Sequence, residues 1–216
     1  FEEYDAAGIE QLLYISINSG GSATYEAAQM AKEKFEKAHP ESKLKITLVD
    51  GHTYSMAYGW FVKEAALKLA AGENMEDVVA WLEDQFSRVD IILAAYTLNF
   101  MKKSGRVSAA AAFAGELLGL RPLLSLTDGV STVRQKVRGD KEVIPAVAAY
   151  AENNRDPEDM RYAVVSTNDE TSAELAKLCT QQWGVAPLGQ FKIGAAVATN
   201  TGPDAIAIVF MGKKRR

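Results

Sequence analysis

Short apolar runs alternate with longer stretches of helical spacing through the first hundred residues, and this order limits the chain to a layered fold. Leu12–Ile17 and Leu44–Val49 have the length and apolar content of strands. Between them Ala23–Ala38 places Ala27, Ala28, Ala31 and Phe35 on one side, as a helix covering a sheet does. Ser55–Ala71 and Met75–Phe86 read as two further helices, the second entered through the turn Gly72-Glu73-Asn74, and Asp90–Ala95 reads as a strand. Elements in this order bury their apolar faces in an α/β layer with a largely parallel sheet.

After Tyr96 the pattern changes. Leu123–Leu126 and Ser131–Val137 flank Thr127-Asp128-Gly129, a hairpin signal. Lys141–Glu152 reads as helical despite Pro145, Asn153–Pro157 as a polar linker and Tyr162–Ser166 as a strand. Thr167-Asn168-Asp169-Glu170 has the form of a capping box opening a helix that runs to Trp183. Strands near Leu188–Ile193 and Ala205–Phe210 close the chain. The sequence therefore predicts an α/β domain over 1–95 and an α+β domain with mixed or antiparallel pairing over 96–216. Phe1-Glu2-Glu3-Tyr4 reads as mid-helix, without initiator Met or cap, so the first domain is expected to lack an N-terminal piece.

Composition narrows the function classes. No run approaches the roughly 18 apolar residues of a membrane span, and no charged-apolar-small leader is present. The single Cys179 excludes an internal disulfide, reads as a buried inert thiol and fits a reducing, cytoplasmic compartment. Net charge is −4 although the last four residues, Lys213 to Arg216, are all basic, so the body before them is more acidic still and is no nucleic-acid surface. The basic tail reads as a solvated end. His39 and His52 are the only histidines and lack HxxH or HExxH spacing, which argues against a catalytic His dyad or a His-rich metal site. No acid/base carboxylate pair stands out, so no catalytic residue, metal or cofactor is assigned.

Four segments carry candidate binding chemistry. Ile17-Asn18-Ser19-Gly20-Gly21-Ser22 runs from a strand into a helix, whose N-terminus offers free N–H groups to an anion, while Ser19, Ser22 and Thr24 add hydroxyls. Neither GxxxxGK[ST] nor GxGxxG is present, and neutral donors without lysine suit a carboxylate better than a triphosphate. A plain turn with Ser22 as helix cap is the other reading. In Phe100–Gly129, Lys102, Lys103 and Gly105 suit a helix end. Val107, Ala110, Ala111, Ala114, Leu117 and Leu118 then follow at helical spacing, and Arg106 lies at the junction, either facing a cleft or on the surface. Ala198–Asp204 reads as a tight polar turn between strands, in which Asn200 and Thr201 are placed to donate to a ligand head. Arg138 closes a predicted strand, where it pairs with a carboxylate or simply faces solvent.

Together these segments resemble the DegV family of bacterial fatty-acid-binding proteins, in order and spacing, over about residues 10–210. Ile15–Tyr25 is similar to the family's Ser-Ser-Gly-Leu-Ser-Gly-Thr-Tyr loop, with Asn18-Ser19 at the Ser-Ser pair and Ala23 for the second Gly. Val49-Asp50 with Ser55-Met56 resembles its Ile-Asp-Ser…Ser-Met-Gly segment, and Thr97-Leu98 with Gly105-Arg106-Val107-Ser108 its Thr-Leu…Gly-Gly-Arg-Ile-Ser segment. Lys136-Val137-Arg138 and Thr201-Gly202-Pro203 complete the set.

The resemblance implies a two-domain DegV-like (EDD) α/β fold that buries a long-chain fatty acid between its domains. It implies a non-catalytic carrier that presents the acid to a separate ATP-dependent fatty acid kinase subunit for acyl phosphate formation in lipid synthesis. The carboxylate is then expected at Ser19, Asn18, Gly20, Arg106 and Asn200, with Ser22, Thr24, Thr201 and Arg138 in support. Asn200 stands where the family usually has His, and the family's first strand and Thr-Ser-Gln-Pro loop are absent. A small-molecule kinase subunit of the dihydroxyacetone type, using His39 or His52, is the alternative, and an interaction domain without a buried ligand is a third.

Overall fold

The computed structural model describes residues 1–97, 99–104, 119–127 and 130–215. A short helix α1 (Glu2–Ala6) precedes β1 (Gln11–Ser16), α2 (Thr24–Ala38) and β2 (Lys45–Asp50). β1 and β2 pair in parallel, Gln11 opposite Lys45 through Ser16 opposite Asp50, and α2 packs Phe35 against Leu44 and Ile46. Helices α3 (Met56–Ala70) and α4 (Met75–Arg88) follow, the latter capped by Asn74, whose Oδ1 accepts from Asp77 N at 2.8 Å.

The rest of the chain builds the larger layer. In order it comprises β3 (Val89–Ala95), α5 (Asn99–Ser104), β4 (Leu120–Thr127), β5 (Val130–Arg138) and a 3-10 turn over Asp140–Glu142. Then come α6 (Val143–Asn154), β6 (Tyr162–Ser166), α7 (Asp169–Trp183), β7 (Gln190–Lys192), α8 (Ala195–Thr201) and β8 (Ala205–Met211). Six strands form one mixed sheet in the order β5-β4-β3-β8-β6-β7. Only β6 and β7 run parallel; β3 is antiparallel to both β4 and β8. β3 thus leaves the first sheet, where chain order alone would put it, because nearly all of its residues are buried and need covering layers on both sides. The division expected near residue 96 falls directly behind this strand.

Alternate residues face opposite layers. Ile92, Ala94, Val164, Ile206 and Ile208 pack against α6 and α7 through Val147, Leu175 and Cys179. Ile91, Leu93, Val165, Ala207 and Val209 turn to the other side, toward Phe61 of α3 and Leu82 and Phe86 of α4.

Local details depart from the sequence reading for identifiable reasons. The cap of α7 is Asn168, accepting from the N–H groups of Glu170 and Thr171 at 2.8 and 3.3 Å, while Thr167 hydrogen-bonds Ala205 in β8. Pro145 is tolerated because it lies in the first turn of α6, where its missing N–H would have had no helical partner. Two residues of the basic tail, Lys214 and Arg215, are tied to the end of α4. Arg215 donates to the carbonyls of Val89 and Phe86 at 2.8 and 3.0 Å, and Lys214 bonds Asp84 at 2.6 Å. The carbonyls ending α4 are short of helical donors and carry the negative end of its dipole, so cations gather there. The Lys214 bond holds the Asp84 carboxyl below its ordinary value.

Candidate functional site

One cavity of about 380 Å³ lies on the face of the large sheet that α6 and α7 do not cover. Ile91 and Leu93 of β3, Leu126 of β4, Val165 of β6 and Ala207 of β8 give it an aliphatic floor. Its walls are the loop after β1, the loop after β2, and α8.

In the first loop Asn18 is buried. Its N–H donates to Thr53 O at 3.1 Å, its Oδ1 accepts from Gly20 N at 3.0 Å, and its Nδ2 donates to the Tyr54 hydroxyl at 2.9 Å. The Ser19 N–H points at an anion, as the turn's sequence suggests, but the anion is internal: Asp50 accepts it at 3.2 and 3.3 Å through its two oxygens. Asp50 also accepts from His52 N at 2.9 Å and so ties the two loops together. Ser19 and Gly20 are exposed, and neither they nor Asn18 line the cavity; Gly21 and Ser22 do. A Cβ at Gly21 would meet the Tyr54 hydroxyl, so a larger residue there requires the tyrosine ring to shift. Ser22 Oγ lies 2.7 Å from Thr24 Oγ1 and accepts from Thr24 N at 3.3 Å, and Thr24 stays outside the lining.

The segment expected as a polar turn at Ala198–Asp204 is instead largely helix α8, stopped at Gly202 with φ 92°. Ala195, Ala196 and Ala198 favour helix, and the polar residues after them satisfy carbonyls one turn back. Asn200 Nδ2 donates to Ala196 O at 2.8 Å and Thr201 Oγ1 to Val197 O at 3.2 Å. Thr199, Asn200 and Thr201 all line the cavity. Arg138 is exposed at the end of β5, opposite Leu120, and does not. Arg106, the helix expected from Val107 to Leu118, Gly105 and the Asp128-Gly129 turn lie outside the described residues. Lys102 and Lys103 do occupy the last turn of α5.

Sequence reasoning gave Tyr54 no place and met Ser55 only within the family resemblance, without a binding role, yet both line the cavity. Among the described residues, His52 at φ 52° and Ser55 at φ 53° are the non-glycine positions with left-handed backbone, and they bracket this loop. Such conformations cost about 1–3 kcal/mol each and persist only where surrounding structure enforces them. Gly51 shows the pressure, because a Cβ there would sit 2.6 Å from Ser16 O. The available signal was a short polar loop between a strand and a helix that repeats the placement of the first loop.

The His39 ring lies 4.9 Å from the Phe35 ring, tilted by 32°, and His52 Nδ1 lies 3.5 Å from Asp50; neither lines the cavity. Burial pushes the Cys179 thiol up to about 12, which leaves no thiolate at neutral pH. Among the described residues no group of three His, Cys, Asp or Glu is placed to hold a metal, and no helix is long and apolar enough to cross a membrane. A second depression of about 630 Å³, among Tyr96, Asp140, Lys141, Glu174 and Asp204, has a charged lining that offers an alkyl chain little to bury against.

The chain is similar in sequence and fold to known proteins. The family model described as "Uncharacterised protein, DegV family" matches residues 1–213. The DegV domain-containing protein YteA of Lactococcus lactis is 28% identical over 214 residues, which cover 98% of this chain and 73% of the relative. A fatty acid (stearic acid)-binding protein from Eubacterium ventriosum superposes with a TM-score of 0.85 at 20% identity, over 99% of this chain and 74% of the other. The Streptococcus pneumoniae Fatty Acid Kinase (Fak) B3 protein, loaded with linoleic acid, does so at 0.83 and 17% identity, over 98% and 76%.

Proposed function

This chain belongs to the DegV family, and from that premise we propose that it carries one long-chain fatty acid in the cavity over the large sheet. The observation that supports this most directly is the division of the lining. Ile91, Leu93, Leu126, Val165 and Ala207 supply aliphatic surface, while Ser22, Tyr54, Ser55 and Asn200 supply neutral polar groups from the loops and α8. An alkyl chain over the floor gains about 0.8 kcal/mol for each methylene buried. A carboxylate among hydroxyls and an amide gains charge-assisted hydrogen bonds.

In this reading the chain is not itself a catalyst. It presents the carboxylate to a separate ATP-dependent kinase subunit, which transfers a phosphoryl group to it and forms acyl phosphate; the solved relative that carries a fatty acid kinase name supports that assignment. Ser22 and Asn200 flank the head group, Thr201 backs the α8 wall, and Asn18, Ser19, Gly20 and Thr24 shape the loop. Arg106 enters through the resemblance alone. The cytoplasm is the compartment where such a kinase finds ATP.

The test is mass spectrometry of small molecules released when the purified protein is denatured, followed by phosphorylation of the released acid's complex with a fatty acid kinase subunit and ATP. A stoichiometric long-chain acid, converted only when both proteins are present, supports the proposal. A protein that releases none and takes up none when palmitate is supplied overturns it.

A further inference from the structure

The hydrogen bonds around Asn18 determine which way the Tyr54 hydroxyl is polarised. The Gly20 backbone N–H can only donate, so the Asn18 atom 3.0 Å from it is the carbonyl oxygen. The other end of the side chain is then the amide nitrogen, which donates to the Tyr54 oxygen at 2.9 Å. With that lone pair occupied, the tyrosine's own proton is directed elsewhere, and no described residue accepts it. Tyr54 lines the cavity beside Ser55, whose hydroxyl bonds no described residue. Gly21 leaves room for the ring, and the left-handed backbone at His52 and Ser55 holds the loop that carries it.

We infer that Tyr54 donates its hydroxyl proton to the ligand carboxylate in this cavity, with Ser55 beside it, and that Asn18 is the positioning residue that sets this polarity. The inference rests on the fatty-acid reading above. It explains why a buried amide that does not touch the cavity sits behind it. A tyrosine polarised outward prefers an acceptor bearing charge, so the site discriminates an acid from its ester.

The experiment measures binding of palmitate and of methyl palmitate, by competition with a fluorescent fatty acid, to the full chain and to Tyr54→Phe, Asn18→Asp and the double variant, after thermal melts confirm folding. Tyr54→Phe is expected to lower the preference for acid over ester at least tenfold while ester affinity stays within about threefold. Asn18→Asp keeps the Gly20 contact but draws the tyrosine proton onto itself, so the preference falls there too. It falls less when added to Tyr54→Phe, where no proton remains to redirect. If the unaltered chain prefers the acid and Tyr54→Phe keeps that preference, or loses acid and ester equally, this inference is overturned and the carrier reading stands. If the unaltered chain binds neither ligand, both are overturned. Should Tyr54→Phe fail to fold, an Asn18→Asp protein with undiminished preference overturns the inference by itself.

Discussion

The two faces of the large sheet come from the same strands, yet among the described residues one is closed by helices and the other only in part. On the closed face Ile92, Ala94, Val164, Ile206 and Ile208 meet α6 and α7, and Tyr162, Leu175 and Cys179 are fully buried. On the other, α3 and α4 cover only part of the sheet, and Ile91, Leu93, Val165 and Ala207 line a cavity. Composition does not separate the faces, since both are aliphatic. What differs, among the described residues, is how completely helices cover each face. An apolar surface covered by helices contributes stability, and the same surface left under two polar loops and a short helix becomes a place for a ligand.

This contrast can be broken in several ways. The largest effect is expected from Ile208→Ala on the closed face, which should cost about 2–5 kcal/mol of unfolding free energy in urea titrations, with palmitate binding to the folded fraction unchanged. A loss near zero would mean that the face is not close-packed. Ala94→Phe, on the same face, should cost about 1–3 kcal/mol by overpacking. Ala207→Phe places the same bulk into open space, so it should cost less than about 1 kcal/mol yet reduce palmitate affinity at least tenfold. Equal stability costs for the two phenylalanines would erase the distinction between the faces.

A pH titration sharpens the comparison further. Burial first, and then Glu152, raise the Cys179 thiol from 9.0 to about 12. The folded state therefore favours the neutral thiol, and this contribution is fully present below pH about 9 and lost as pH rises toward about 12. Denaturation midpoints should fall over that range, less steeply in Cys179→Ala, while a thiol reagent at neutral pH should react only on unfolding. The smallest effect is expected away from both faces: Arg215→Ala removes donors to the end of α4 and should cost about 0.5–1.5 kcal/mol in a thermal melt.

Much of the architecture was legible because it follows from local pattern. The Phe35 face of α2, the turn Gly72-Glu73-Asn74 that opens α4 and the antiparallel pairing of β4 with β5 all emerge from spacing and turn chemistry. The neighbours of β3 did not, because strand order depends on contacts between segments far apart in the chain, and β8 lies more than a hundred residues away. Ala198–Thr201 was misread because Thr and Asn suit turns by propensity, but they also close carbonyls within a helix when alanines precede them.

The site was legible as a place and less so as a set of atoms. The glycine-rich loop after β1 does border the cavity, and Ser22, Asn200 and Thr201 do line it. Ser19 was expected at an external anion for its hydroxyl and its place in a strand-to-helix turn, whereas its backbone N–H bonds Asp50, thirty-one residues later. Tyr54 was missed for the converse reason: nothing in its immediate sequence says that Asn18 stands behind it or that Gly21 makes room for it.

The sequence by itself determined most element types, the apolar faces, the buried thiol and a loop chemistry better suited to a carboxylate than to a triphosphate, since each is set by residues within a few turns of one another. Only the tertiary structure decided which face of the sheet the described helices leave partly uncovered, where the carboxylate of Asp50 is spent and that Tyr54 lines the cavity with Asn18 behind it. Those outcomes depend on who donates to whom across loops brought together by parallel pairing of β1 and β2, and a hydrogen bond has a direction only once both partners are in place.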